Sequence, residues 1–273
     1  MATKLWLGTT SGDYSVAANW SPAAVPVSTN DVRLSPDYNN PINAGLAQSG
    51  VAIGDFIVER GFTSAIGSVA AGYLAIDPNR FEFSGGGVSY VNLAGAAISV
   101  LVRGTAAGSA GLAGLYLLGS AITTLTQLAG SVALAGRLAE TATAATLALQ
   151  GGELWAGEGC TLTTLRQLGG TSRIRAGLTT AQLYAGKLYL EEESALGTLN
   201  GFGGTCFWDS TGGITSNANL EGCTLNALGN GKARTLAAIK LNAGASFKYD
   251  PDVVTVTAFT APDQAISLNA KAA

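Results

Sequence analysis

The sequence of 273 residues contains no histidine. This absence excludes the Ser-His-Asp triad, Cys-His nucleophiles and histidine general bases, and it removes most zinc sites. What remains is carboxylate chemistry of the glycosidase kind, which needs two acidic side chains across a cleft. The candidates are Glu153 and Glu158, on either side of Trp155, and the run Glu191–Glu193. They share no common repeat position, and the run is typical of a solvated turn, so we expect no enzyme activity, cofactor or metal.

Charged residues are also scarce, at 12% of the chain, with a net charge of −3. The fifteen basic residues are scattered along the sequence. Phosphate binding needs clustered lysine and arginine, so this distribution argues against nucleic acid as a partner. A chain with so little charge is expected to bury much of its surface against other protein, such as copies of itself.

The N-terminus lacks the basic region and the long apolar stretch of a signal peptide, so we expect assembly in the cytoplasm. The segment from Gly104 to Gly136 contains no charged residue. Threonine, serine and glycine interrupt it, whereas a spanning helix needs about 20 mostly apolar residues. We therefore expect no membrane partner and interpret this segment as uncharged coils buried in an assembly.

Proline is absent between residues 79 and 250. This favours continuous hydrogen-bonded sheets, because proline cannot donate to a ladder. The three cysteines, Cys160, Cys206 and Cys223, are an odd number without metal-type spacing. We expect all three to be buried free thiols, with Cys206 and Cys223 about one repeat apart.

What the sequence does contain is a repeated phrase, in which a large apolar residue precedes a glycine and a short apolar run follows it. The glycines lie 16 to 22 residues apart, with a mean period near 19. Such a period predicts stacked coils of strand and turn. We therefore predict an all-β fold, a parallel β-helix or solenoid of about ten irregular coils. The predicted bend glycines are Gly130, Gly151, Gly170, Gly186, Gly204, Gly222 and Gly244.

Each of these glycines is expected at a bend, where a positive φ or a close backbone approach is needed. The apolar residue before the glycine and those after it are expected to point inward from two short strands. The residues before it are Leu128, Leu149, Leu168, Leu183, Phe202, Leu220 and Leu241. The residues at the fourth position after each glycine are expected to form one row through the coils. We expect these side chains to stack in the core, and the alternative is that they form a platform on which sugars bind. That row consists of Leu134, Trp155, Ile174, Leu190 and Trp208.

The first 50 residues differ in composition from the rest, since they hold four of the seven prolines and two of the four tryptophans. We predict a capping or attachment segment, rich in β-structure and turns, over residues 1–50. The solenoid is predicted over 51–247 and a C-terminal strand tail over 248–273. A solenoid has two open sheet ends that invite aggregation unless they are covered. The first segment is expected to cover one end, and the tail to cover the other or to pair with a neighbouring subunit.

The N-terminal segment carries a specific order of residues. It reads Trp6-Leu-Gly8, then Gly12-Asp-Tyr-Ser-Val-Ala-Ala-Asn19-Trp20, then Pro26 and Asp31. This order resembles the opening of β-solenoid proteins of tailed bacteriophages and of some bacterial surface proteins, and the coils after it are similar in a more general way. The resemblance implies structural roles, and no catalytic ones, for the matched positions. These are Trp6, Gly8, Asn19, Trp20, Pro26 and Asp31.

The resemblance implies a virion structural component, commonly a homotrimer, on the head or in a fibre. We expect a non-enzymatic capsid decoration (cement) protein that is assembled in the host cytoplasm and lies on the capsid surface. Its expected partners are copies of itself and the major capsid protein or other virion proteins. The alternative is a tail spike, fibre or adhesin that binds host-surface glycan. About ten coils leave little room for a shaft and a catalytic groove, which favours the first interpretation.

Overall fold

The structure is a computed structural model that describes residues 2–105, 112–137, 139–261 and, by backbone only, 267–270. The described residues are nearly all β, with 23 strands and two 3-10 turns, Ala17–Asn19 and Pro36–Tyr38. They form about nine turns of parallel β-solenoid, which confirms the predicted fold class. The chain divides into two compact units, Met1–Ala145 and Thr146–Ala273.

The first unit begins with a short antiparallel pair and continues in parallel coils. Its strands are β1 (Thr3–Trp6), β2 (Trp20–Ser21), β3 (Asp31–Leu34), β4 (Ala47–Val58), β5 (Leu74–Ser84), β6 (Ser89–Leu93), β7 (Ile98–Gly104), β8 (Leu115–Gln127) and β9 (Ser131–Leu134). β1 pairs antiparallel with β2 and parallel with β3. The pairings from β3 to β9 are parallel. β10 (Ala142–Leu149) contains the division between the units.

Alternation of apolar and polar residues along these strands places one apolar side chain above another in the core. Val32, Phe56, Phe81, Val100 and Leu125 occupy one register row and are buried. The rings of Phe56 and Phe81 stack with their centroids 5.8 Å apart. Since a one-residue slip would turn every such side chain outward, these rows fix the register.

The second unit alternates a long and a short strand in each coil. The long strands are β12 (Cys160–Gln167), β14 (Gly177–Leu183), β16 (Leu196–Gly201), β18 (Ile214–Leu220), β20 (Arg234–Leu241) and β22 (Val254–Thr260). The short strands are β11 (Glu153–Ala156), β13 (Thr171–Ile174), β15 (Lys187–Leu190), β17 (Thr205–Trp208), β19 (Thr224–Asn226), β21 (Ser246–Tyr249) and β23 (Ser267–Ala270). Successive long strands pair in parallel, and so do successive short strands, which gives a long sheet and a short sheet around one core.

The bend between the long and the short strand of a coil contains a glycine in the left-handed region. Six of the seven predicted glycines have a positive φ, and Gly151 does not. Gly151 also lies in the bend between β10 and β11, but there the next residue, Gly152, adopts the positive φ of 82°. The repeated sequence pattern fits either of these adjacent glycines, and only the register of β11 shows which of them adopts the positive φ.

The register of β11 differs from the predicted row of inward side chains. Ile174, Leu190 and Trp208 do lie in one row and are buried. Trp155 pairs with Arg173 and is half-buried on the outer side of the short sheet. Ala156 takes the inward position beside Ile174. Trp155 therefore lies outside the core row that the sequence predicted.

The expectation that the residue before each bend points inward holds for some coils only. Leu149, Leu183, Leu220 and Leu241 are buried, whereas Leu168 and Phe202 are exposed and Leu128 is half-buried. At the bend of β12 the inward residue is Gln167, whose amide Nε2 donates to the carbonyl oxygens of Gly170 and Lys187, at 3.0 Å each. A polar residue thus takes a core position where it satisfies the carbonyl groups of the bend.

The three cysteines are free and buried, as predicted, and burial raises the pKa of the Cys223 thiol to about 11. Among the described residues, no helix is long and apolar enough to cross a membrane. The three-part division at residues 50 and 247 stays a prediction, and β4 and β21 each run across one of its boundaries.

Candidate functional site

The N-terminal motif folds into a buried aromatic cluster at the start of the first unit. Trp6, Tyr14 and Trp20 are buried, and the ring of Trp20 lies 5.0 Å from that of Trp6 and 4.7 Å from that of Tyr14. The indole N–H of Trp20 donates to the carbonyl oxygen of Tyr14 at 2.8 Å. The indole N–H of Trp6 donates to the carbonyl oxygen of Asn40 at 3.0 Å. The aromatic part of the motif is therefore held by packing within the chain.

Asn19 holds the loop that precedes it. Its Oδ1 accepts hydrogen bonds from the backbone N–H groups of Thr10 (2.9 Å) and Ser11 (3.1 Å). Its Nδ2 donates to the hydroxyl of Ser11 at 3.0 Å and to the carbonyl oxygen of Asp13 at 2.8 Å. The amide is fully buried and uses both of its ends, which is how a buried polar side chain stabilises a unique loop conformation.

The remaining motif residues also have contacts within the first unit. Gly8 adopts a φ of +58°, and Pro26 is buried. The carboxylate of Asp31 accepts a hydrogen bond from the backbone N–H of Asp55 at 2.9 Å. Packing, burial and hydrogen bonds within the first unit thus account for the motif positions.

The outer side of the short sheet carries a row that contains Trp155, Arg173, Tyr189 and Phe207. The rings of Tyr189 and Phe207 stack with their centroids 4.6 Å apart and their planes 8° apart. The guanidinium of Arg173 lies 4.3 Å from the centre of the Tyr189 ring. Both faces of Tyr189 are therefore covered by the chain itself, so this ring offers no open face on which a sugar could stack.

A groove of about 660 Å³ lies in the second unit, where the turns after successive short strands meet. It contains four carboxyl groups and two cationic groups. It is lined by Glu158, Arg175, Ala176, Gly177, Glu192, Glu193, Asp209, Thr211, Asn230 and Lys232. The solenoid brings these residues together because each coil adds one turn at the same corner.

Charges within the groove are partly paired. Arg175 contacts Glu192 at 3.0 Å, and it also contacts Glu191 at 3.3 Å. The carboxyl of Glu158 is hydrogen-bonded to that of Glu192, which raises the pKa of Glu158. Burial raises the pKa of Asp209, while the guanidinium of Arg234 acts in the opposite direction. The groove therefore places carboxyl acceptors beside the donors of Arg175 and Lys232, an arrangement that suits a ligand rich in hydroxyl groups.

Replacement of Glu158 by glutamine is expected to flatten the pH dependence of stability. A carboxyl with a raised pKa in the folded chain stabilises the fold most when protonated. The free energy of unfolding therefore falls as the pH rises from 4.5 through that raised pKa. Glutamine still donates to Glu192 and does not titrate, so this part of the fall disappears. Urea unfolding at a series of pH values measures the slope.

Asp252→Asn is the control for this prediction, since Asp252 is an exposed carboxylate outside the groove. It should leave the slope of the wild type unchanged. An unchanged slope in Glu158→Gln would show that the pair with Glu192 does not form in solution.

The sequence proposed Glu153, Glu158 and the run Glu191–Glu193 as candidate carboxylates. The structure brings Glu158 together with Glu192 and Glu193, and Glu153 does not line the groove. Asp209 was missed, because it lies one residue beyond β17, in a turn that has no counterpart in the repeated phrase. Its position directly after the buried Trp208 is the signal that could have identified it. In the described part of the chain, no group of three or more Cys, Asp or Glu side chains could hold a metal ion.

The chain was compared with models of known protein families, with curated proteins and with solved structures. None of these comparisons gave a match.

Proposed function

We propose that this chain is a non-enzymatic structural protein of a tailed-bacteriophage virion, a capsid decoration (cement) protein on the capsid surface. It packs against the major capsid protein or other virion proteins and against copies of itself. The proposal takes the virion and the self-association from the resemblance of the N-terminal motif. The structure contributes the surface on which such packing can occur.

The observation that carries the proposal is the uncharged face, defined as the outward side chains of the long sheet of the second unit. From β12 to β22 only two of these side chains are charged, Arg166 and Lys240. Threonine, serine, asparagine and glutamine predominate, and one register row runs Thr164, Thr180, Thr198. Depletion of charge distinguishes the centre of a protein interface from ordinary surface. A face of this kind supports a packing role.

Cosedimentation with separated particle parts tests the proposal. Purified chain is mixed with heads that lack it, and separately with isolated tails. We expect saturable binding to the heads that persists in high salt, because an uncharged interface is little affected by screening. Binding to tails alone, or binding that salt abolishes, would contradict the proposed packing on the head.

Polysaccharide binding is the second candidate, and the groove is the observation that favours it. Its paired carboxyl groups, Thr211 and Asn230 supply hydrogen-bond donors and acceptors for sugar hydroxyl groups. Cleavage would need an acid and a base, for which Glu158 and Asp209 are the candidates.

Release of reducing ends from bacterial polysaccharides tests this second function. Turnover that is lost in both Glu158→Gln and Asp209→Asn would establish it and would overturn the non-enzymatic proposal. Because the packing function makes no use of either carboxyl, both variants should bind heads as the wild type does.

A further inference from the structure

An exposed apolar ridge runs along one corner of the second unit. It consists of Leu168, Tyr184 and Phe202, whose exposed fractions are 40%, 37% and 48%. Each ridge residue directly follows the last residue of a long strand, which is Gln167, Leu183 or Gly201. Gln167 pairs with Leu183, and Leu183 pairs with Gly201. The three ridge residues therefore occupy one row, with one residue in each of three successive coils.

The ridge is ordered by contacts between its members. The rings of Tyr184 and Phe202 stack with their centroids 4.9 Å apart and their planes 20° apart. The guanidinium of Arg166 lies 5.5 Å from the centre of the Tyr184 ring. The ridge thus presents a preformed row of apolar groups to solvent, an arrangement that is typical of an interaction surface.

Opposite charges lie at the two ends of the ridge. Arg166 is exposed in the first of the three coils. Glu221 continues the row beyond Phe202, because it follows Leu220, which pairs with Gly201. Glu221 is exposed, and within the described residues neither Arg166 nor Glu221 has an ion-pair partner.

We propose that this ridge binds the same ridge of a second copy of the chain, with the two solenoids antiparallel about a two-fold axis. In this arrangement the ring edge of Tyr184 of one copy packs on Phe202 of the other, since Arg166 and Phe202 of its own chain cover the faces of Tyr184. Arg166 of each copy then meets Glu221 of the other, so both charges are paired. The contact is isologous, as in most homodimers. The inference rests on the self-association that the proposed function includes, and it specifies the surface.

Two arguments favour this occupant and this orientation. The ridge residues of successive coils are separated by the coil spacing of roughly 4.8 Å, and a second copy of the same solenoid has the same spacing. Parallel copies at equal height would instead bring Arg166 next to Arg166 and Glu221 next to Glu221, which is unfavourable. The charges therefore favour a two-fold pair over the three-fold arrangement that the resemblance implies. Because three ridge residues bury only a small surface area, the adjoining uncharged face must contribute the rest of the contact.

Sedimentation velocity over a range of concentrations tests the apolar part of the contact. We expect the wild type to sediment as a dimer. Tyr184→Ser and Phe202→Ser should each raise the dimer Kd by at least about tenfold. Leu228→Ser is the control, since Leu228 is 44% exposed but follows β19 at another corner. A monomeric or trimeric wild type, or equal weakening by the control, would overturn the inference.

A charge exchange tests the orientation. Arg166→Glu alone and Glu221→Arg alone should each raise the dimer Kd by about tenfold, and the double variant should restore it. Lys187→Glu, at an exposed position of β15, is the control and should leave the Kd unchanged. Failure of the double variant to restore the dimer would contradict antiparallel pairing. Circular dichroism and thermal unfolding of each variant show whether it is folded.

The outcomes separate this inference from the proposed function. A monomeric chain that still binds phage heads would overturn the paired ridge and leave the packing function in place. A chain that dimerises and shows the expected charge exchange but binds no head would support the paired ridge and overturn the packing function.

Discussion

Gly186→Ala is expected to lower the free energy of unfolding by about 2–4 kcal/mol. Gly186 has a φ of +85°, which residues with a side chain rarely adopt. A methyl group here would also overlap the carbonyl oxygen of Gly170 in the preceding coil. That oxygen accepts the hydrogen bond from the N–H of Lys187 at 3.0 Å, so it cannot move away without loss of a coil contact.

Gly177→Ala is the matched control in the same unit. Gly177 does not have a positive φ, and a methyl group there would meet no atom within 4 Å. The free energy of unfolding of this variant should differ from that of the wild type by less than about 1 kcal/mol, because alanine is slightly more favourable than glycine inside a strand. Urea unfolding of both variants measures the difference. Equal effects of the two substitutions would contradict the close stacking of the bends.

Trp208→Ala is expected to destabilise the fold by about 3–5 kcal/mol. Trp208 is fully buried, and its indole N–H donates to the carbonyl oxygen of Gly212 at 2.9 Å. The guanidinium of Arg234, which is 5% exposed, lies 5.0 Å from its ring centre. Truncation removes the largest side chain of this row and leaves a buried cation without its aromatic partner.

Trp155→Ala is the control for the register of the coils. Trp155 is half-buried on the outer side of the short sheet, so its truncation should cost only about 1 kcal/mol. Thermal and urea unfolding of the two variants compare the positions directly. If the two variants were equally destabilised, Trp155 would lie in the core row, as the sequence pattern had indicated.

The fold class could be predicted because it depends on features that recur in every coil. Alternating residues such as Thr161-Leu162-Thr163 indicate a strand, and a glycine after it indicates a bend. The long stretch without proline is explained by the continuous parallel ladders. The segment Ala142–Leu149 likewise forms strand β10.

The register could not be predicted where the sequence offered two equivalent choices. Gly151 and Gly152 both fit the bend, and a shift of one residue exchanges the inner and outer faces of β11. The inward-facing residue was also ambiguous at the bends that contain Leu168 and Phe202, where the preceding residue takes the inward position. Gln167 is suited to that position by its hydrogen bonds to the bend, which no hydropathy pattern reveals.

The groove and the apolar ridge could not be predicted for a different reason. Glu158, Glu192 and Asp209 come from turns of different length, so they align at no common position of the repeat. Only stacking of the coils brings them to one corner. The ridge depends in the same way on the pairing of Gln167 with Leu183 and of Leu183 with Gly201.

We propose that the solenoid serves as a packing scaffold on a virion head. Immunogold electron microscopy of the parent particle, with antibodies raised against the purified chain, tests it most directly. We expect gold on the head surface of intact particles and none on the tail. Label confined to the tail, or particles that carry no label, would contradict the claim.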